Sequence, residues 1–258
     1  MKIQLLDDSL LPEGFKYPIA LKRLIELNLV DFECYYFMDK SSATIRIDGL
    51  KQRYPDRVLI PFAQRKDNDD IACFELHKNG VQIIHDYASP GWEQRQCFND
   101  FWSWLYFVVD EMIENEIMEE EYEISTGVVL IYGKELLEKN ILPEGFAYPY
   151  GLRCISELEL VNFDIWYLLD KINTTVLIDG LKERYPERML IPFAKRSDNG
   201  DIACFELNKN GVQIIHDFMS FGSEQGKLND TFWDWFKDAI EEMIKSVNLK
   251  QNIEEHKG

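Results

Sequence analysis

The chain is written twice. Leu11-Pro12-Glu13-Gly14-Phe15 returns as Leu142-Pro143-Glu144-Gly145-Phe146, and Asp48-Gly49-Leu50-Lys51 returns as Asp179-Gly180-Leu181-Lys182. Asp70-Ile71-Ala72-Cys73-Phe74-Glu75-Leu76 returns as Asp201-Ile202-Ala203-Cys204-Phe205-Glu206-Leu207. The offset is about 131 residues and holds from Leu11 to Ile113, where about 60 of roughly 100 aligned positions are identical. A period of that length is a whole domain, not a solenoid unit. The expected division is a first domain over 1–118, an acidic linker over 119–130, a second domain over 131–247 and a polar tail over 248–258. Two copies also supply an internal comparison: positions kept in both carry the fold or a shared task, and positions that differ report exposure or divergence.

Each copy has enough residues to bury its own core. The net charge is −18, with 46 acids against 28 bases. Nucleic-acid binding needs a basic patch, and none is visible. A strongly acidic surface suits solubility or a basic protein partner. No signal peptide is expected from the N-terminal residues, and the longest apolar run, Val128 to Tyr132, is too short to span a membrane. Of five cysteines only Cys73 and Cys204 repeat, and no Cys-x-x-Cys occurs, which fits a reduced, cytoplasmic protein.

Both copies have the same local pattern. A helix opens near Pro18 through Ala20, Leu21, Leu24, Leu27 and Leu29. An aromatic segment, Phe32 to Met38, follows. Asp48-Gly49 is a turn signal, and a short helical turn, Leu50 to Tyr54, stops at Pro55. Three strands are expected over 57–63, 70–76 and 81–86. Lys78-Asn79-Gly80 joins the last two as a hairpin in which Asn-Gly supplies positive φ angles. Ile71-Ala72-Cys73-Phe74 is apolar on both faces, so its strand is central. A helix over 99–114 closes the copy, with Phe101, Trp104, Leu105, Val108 and Met112 inward. Its outer face holds Tyr106 and Phe107, which the second copy replaces with Lys237 and Asp238. These two aromatics are candidates for a contact between the copies, as in a pseudo-dimer. Between the copies, Asp110 to Glu123 holds eight acids and no base, so charge repulsion is expected to extend its late part as a linker, while the closing helix is expected to run into the stretch.

No phosphate-binding glycine loop, Gly-x-Ser-x-Gly or His-Glu-x-x-His is present. His85-Asp86 and His216-Asp217 could be half of an acid–base site, but a structural rim histidine is the plainer expectation. Asp67-Asn68-Asp69-Asp70 resembles part of a calcium loop without the closing glutamate, and an aspartate-rich turn is expected instead. Cys73 and Cys204 are core residues rather than nucleophiles. Arg53 and Arg57, with Arg184 and Arg188, could bind an anion or hold the acidic chain together by ion pairs.

The runs Leu59-Ile60-Pro61-Phe62-Ala63, Asp67-Asn68-x-Asp70-Ile71-Ala72-Cys73-Phe74, Gly80-Val81-x-Ile83-Ile84-His85-Asp86 and Phe101-Trp102 resemble the SUKH superfamily, the Smi/Knr family of toxin-immunity proteins. Both copies match over about 100 residues, essentially the domain. Asp69 stands where a glycine is usual, and Gly200 keeps it in copy two. The resemblance implies an α+β fold, each copy a mostly antiparallel sheet packed with helices. It also implies a non-enzymatic role: binding and neutralising a cognate, basic, nuclease-type toxin, without cofactor or metal. The competing expectation is an intracellular regulatory or small-ligand-binding module. Candidate partner-binding residues are Asp67, Asp69, Asp70, Trp92 and Glu93, with Asp198 and Asp201 in copy two. Trp92 follows Pro90-Gly91, and copy two has Ser223 there. It either anchors an interface or caps its own core.

Overall fold

A computed structural model describes residues 3–217, 219 and 222–255. The protein is α+β and divides into two compact units, Met1–Glu114 and Asn115–Gly258. In the first unit, Pro18 opens helix α1, Ile19–Glu26, which buries Ala20, Leu21 and Leu24. Asn28, at φ +60°, ends it in the left-handed conformation that asparagine tolerates. Strand β1, Tyr35–Phe37, follows. Helix α2, Lys40–Arg53, is capped by Asp39, whose carboxylate accepts from the Ser42 N–H at 2.7 Å.

Helix α2 runs straight through Asp48-Gly49, so the expected turn is not there. A Cβ at Gly49 would sit 2.7 Å from Arg53 Nη2. The glycine therefore makes room for the Arg53 side chain to lie back along the helix, and it is a packing residue rather than a turn residue.

Strands β2 (Leu59–Arg65), β3 (Asp70–Glu75), β4 (Val81–His85) and β5 (Gln94–Phe98) complete an antiparallel meander ordered β1-β2-β3-β4-β5. The apolar strand β3 is central, as its two-sided hydrophobicity requires. Pro61 is tolerated inside β2 because the ladder slips there, between Pro61 and Ala63. The β3–β4 connection is a hairpin, but the positive φ angles fall at His77 (+65°) and Gly80 (+77°), not at Asn79. Gly80 is fixed by a second demand, since its Cβ would meet the Phe98 carbonyl oxygen at 1.8 Å. Strand β5 had no sequence signal.

Helix α3, Phe101–Thr126, buries Phe101, Trp104, Leu105, Val108 and Met112 on the expected stripe. Trp104 is the centre of the core, 4.9 Å from Phe62 edge-to-face and 6.0 Å from Phe37, while Phe62 stacks on Phe74 at 4.5 Å.

The second unit repeats the order. It contains α4 (Tyr150–Glu157), β6 (Asn162–Phe163), β7 (Trp166–Leu168), α5 (Lys171–Arg184), β8 (Leu190–Arg196), β9 (Ile202–Glu206), β10 (Val212–Ile215), β11 (Gln225–Asn229) and α6 (Phe232–Glu255). Its sheet is antiparallel and ordered β11-β10-β9-β8-β7-β6. The added strand β6 corresponds to a single bridge, Asp31 to Tyr36, in the first unit. Trp235 takes the place of Trp104, with Phe193 at 4.8 Å and Trp166 at 5.8 Å. Trp166 stands where Tyr35 does, and Leu168 where Phe37 does, so the bulk moves between neighbours while the core stays filled.

Two expectations about chain organisation are corrected. The closing helix runs into the acidic stretch as expected, but it continues through Thr126 instead of giving way to an extended linker, and its last part is tied down, because both Glu123 oxygens accept from Arg153. The unit boundary falls inside α3, and residues 119–130 belong to the second unit. The expected polar tail is helical to Glu255, held in part by Asp164, which accepts from Ser246 Oγ at 2.6 Å and pairs with Lys250 at 2.7 Å. Residues 256–258 of that tail lie outside the described residues.

Candidate interaction site

The end of β4 and the loop after it gather the charged residues of the first unit. Asp86 is fully buried. Its carboxylate accepts from Arg46 Nη1 at 2.7 Å and from Arg53 Nε at 2.7 Å, both on α2, and from the Tyr87 N–H at 3.0 Å. A buried carboxylate needs such donors, because desolvation otherwise costs it several kcal/mol (on the order of the penalty for a buried unpaired ion). Arg53 also lies over the Tyr87 ring, 4.4 Å from its centroid. Tyr54 donates to the carbonyl oxygens of His85 (3.2 Å) and Ala88 (3.0 Å), closing the turn. Asp217 and Arg184 repeat the central pair at 2.7 Å, but Leu177 stands where Arg46 does.

Arg57 is the second hub. It donates to Glu75, to Glu93 at 3.0 Å and to Gln94 at 2.8 Å. Glu93 also accepts from the Gly91 N–H at 2.6 Å. Burial pushes the Glu93 carboxyl up, but hydrogen bonds from backbone N–H groups and Arg57 outweigh it, and the net shift is down. The same contest ends the same way at Glu75, where Arg57 and Lys78 are the donors. Arg188 repeats the hub with Glu206 at 2.6 Å and Glu224 at 3.1 Å. The expectation that these arginines hold the chain together by ion pairs is met at all four positions, Arg53, Arg57, Arg184 and Arg188.

The predicted partner-binding residues separate into two groups. Glu93 is buried and paired to Arg57, so it is a loop support and not an exposed rim acid. Asp201 is likewise buried, accepting from the Asn199 amide at 2.9 Å and facing His216 Nδ1 at 2.7 Å. Asp70 is part-buried, 2.6 Å from His85 Nδ1. The two histidines thus serve the ends of their sheets. Asp67 and Asp198 remain on the surface, each clamped by a neighbouring arginine. The hydrogen bonds from Arg65 and Arg196 hold these carboxyls below the usual aspartate range. Asp69 is exposed, and its backbone carbonyl accepts from the Asp86 N–H at 2.9 Å. Cys73 and Cys204 are completely buried, which pushes their thiols up and away from thiolate chemistry.

Trp92 is 80% exposed, which excludes the capping role. Its loop is nonetheless ordered: the Trp92 N–H donates to the Ser89 carbonyl at 2.9 Å, and the Glu93 carboxylate accepts from the Gly91 N–H and from Arg57. Tyr87, at φ +67°, is 63% exposed in the same β4–β5 connection. Sequence reasoning missed Tyr87, Arg46 and Arg95, although comparison of the copies flags the two arginines, which align with Leu177 and Gly226. Of the two aromatics on α3, Phe107 packs on Phe98 of its own unit at 5.2 Å, and Tyr106 is 38% exposed.

Eight acids across both units, Asp39, Asp67, Glu75, Glu93, Glu123, Asp198, Glu206 and Glu224, are held below their ordinary values of 3.8 for Asp and 4.5 for Glu. A carboxyl depressed in the fold stabilises it above the unfolded value and loses that contribution as pH falls through the folded value. Chemical denaturation is therefore expected to give constant stability from about pH 7 to about pH 5 and a steep decline below about pH 4.5. A decline that begins above pH 6 would point to a titrating histidine instead.

Among the described residues no group of three or more His, Cys, Asp or Glu could hold a metal ion, and no helix is long and apolar enough to cross a membrane. The chain matches no family model, no curated protein and no solved structure.

Proposed function

We propose that the protein is a non-enzymatic binding protein of the SUKH type, acting in the cytoplasm as an immunity protein that neutralises a basic, nuclease-type toxin. The observation that carries the reading is Trp92: a large aromatic at 80% exposure on a loop made rigid by a buried ion pair. An ordered aromatic loses little entropy on docking, and tryptophan, tyrosine and arginine dominate interface hot spots. Tyr87 and Arg95 stand on the same segment. The net charge of −18 would steer the chain to a basic partner, and the exposed Asp67 and Asp69 belong to that field.

Trp92→Ser restores the residue of the second copy, so the fold tolerates it. The variant is expected to weaken binding to a co-purifying basic toxin domain by at least about 30-fold, which corresponds to about 2 kcal/mol. Asp69→Lys is expected to lower mainly the association rate and its salt dependence. Unchanged affinity and protection in Trp92→Ser, with circular dichroism unchanged, would rule this surface out.

A further inference from the structure

The aspartate that follows the fourth strand of each sheet pattern is held differently in the two units. Asp217 is met by one guanidinium, Arg184, which reaches both of its oxygens, Nε to Oδ1 at 2.8 Å and Nη2 to Oδ2 at 2.7 Å. One cation against one carboxylate leaves no net charge. In the first unit two guanidiniums share Asp86: Arg53 Nε donates to Oδ1 at 2.7 Å and Arg46 Nη1 to Oδ2 at 2.7 Å. Among the described residues no second carboxylate pairs with either arginine, so the cluster carries one positive charge in excess. The fold does not need that charge. Leu177, at the position of Arg46, packs instead against the core cluster of Leu181, Tyr185 and Ile202. The Arg46 side chain is 18% exposed, so it gives up most of its hydration for a share in one carboxylate.

Arg46 spends Nη1 on Asp86 and keeps the other side of its fork. Its Nε and Nη2 have no acceptor among the described residues, and neither is fully enclosed. That pair of nitrogens is the one with which Arg184 grips Asp217. The Tyr87 hydroxyl lies 3.3 Å from Arg46 Nη1, on a side chain that is 63% exposed. The sequence of copy two has phenylalanine at that position, so the second arginine and the hydroxyl are absent together. A surplus charge, an open two-pronged donor and a neighbouring hydroxyl are the chemistry that recognises an oxyanion. We propose that Arg46 and the Tyr87 hydroxyl form a binding site in the first unit for one oxyanion group, a carboxylate or a phosphate, carried by a ligand. Arg53 neutralises Asp86 and so leaves the charge of Arg46 to that group. The site goes beyond the Trp92 reading, because it needs neither Trp92 nor a basic partner.

The test uses the full chain labelled with heavy nitrogen and reads the arginine Nε–H signals. The probes are inorganic phosphate and acetate, each against sodium chloride at the same ionic strength. Phosphate is expected to shift the Arg46 signal in a saturable way and to leave Arg184, whose fork Asp217 already fills, in place. An equal response to acetate supports the site and identifies a carboxylate-bearing ligand. A response to phosphate alone supports it and identifies a phosphate-bearing one. Arg46→Leu with Tyr87→Phe, the residues of copy two, should lower the affinity at least about tenfold with the backbone amide spectrum otherwise unchanged. Arg46→Lys keeps the charge without the fork, and most of the binding should go with it. The proposal is overturned if Arg46 and Arg184 respond alike, if Arg46 responds no more than in the salt control, or if the double variant binds as the parent does. Trp92→Ser should leave the Arg46 response intact, so a failure here is separable from a failure of the immunity reading.

Discussion

Arg57→Ala is expected to cost the first unit about 3–5 kcal/mol, because removing one member of a buried ion cluster leaves the others buried without a counter-charge. The Arg57 side chain is 14% exposed, and it serves Glu75 and Glu93, at 7% and 9%. Lys78 still reaches Glu75 at 3.0 Å, so the larger part of the loss falls on Glu93. The two units supply an internal control. Hydrogen exchange on the intact chain should show protection in β3 and β4 falling on the order of a hundredfold or more, with β9 and β10 unchanged. The pH dependence gives a second reading. Without Arg57 the two carboxyls rise towards or above their ordinary value of 4.5, and acid neutralises them. The deficit relative to the parent should therefore be largest near pH 7 and shrink below about pH 5. Binding should weaken as well, although Arg57 presents no aromatic to a partner, because the Trp92 loop is ordered through Glu93. A variant with parental exchange rates in β3 and β4 would mean that the cluster is a surface pair worth little.

The parts of the fold that periodicity governs were legible. The stripe on α3 and the two-sided apolar run of β3 follow from which faces must leave water. The parts governed by long-range polar pairing were not. Strand β5, Gln-Arg-Gln-Cys-Phe, has no alternation, since it is an edge strand held by backbone bonds to β4 and four of its five residues are exposed. Gly49 looked like a turn because its reason for being glycine lies in Arg53, one helical turn away, and that side chain is set by Asp86. Glu93 looked like a rim acid beside an exposed tryptophan, and only Arg57, 36 residues away, decides that it is inside. The repeat did contain the signal. Arg57, Glu75 and Glu93 are all kept as Arg188, Glu206 and Glu224, while Trp92 is not kept. A retained acid next to a variable aromatic marks a support beside a contact. Trp92 itself was legible for that reason.

A fragment of residues 115–258 is expected to be more stable than one of residues 130–258 by about 3 kcal/mol, since the acidic stretch completes the second unit rather than leading to it. Glu123 and Arg153 are 15% and 16% exposed, and Arg153 also donates to the Ile131 carbonyl and lies over the Tyr150 ring. Glu123 further accepts from the Leu130 N–H at 3.0 Å, which fixes the chain where it leaves α3. Glu116 is buried, and burial together with its charge pushes the Tyr150 hydroxyl up. Cutting at 130 strips both carboxylates from α4. Arg153 is then left half-covered with one carbonyl, and the outer side of Tyr150 is opened to water. The point variant Glu123→Gln in the longer fragment separates charge from cover: it keeps the helix and weakens the Arg153 bonds. It should account for about half of the difference, because hydrogen bonds to charged groups contribute about 1.5–3 kcal/mol. The complementary fragment, residues 1–114, should unfold as one cooperative transition, since α3 has already buried Met112 and Ile113 by that point. Equal melting of the two longer and shorter second-unit fragments would return residues 119–130 to the status of a connector. The acidity of that stretch would then serve only the field of the whole chain.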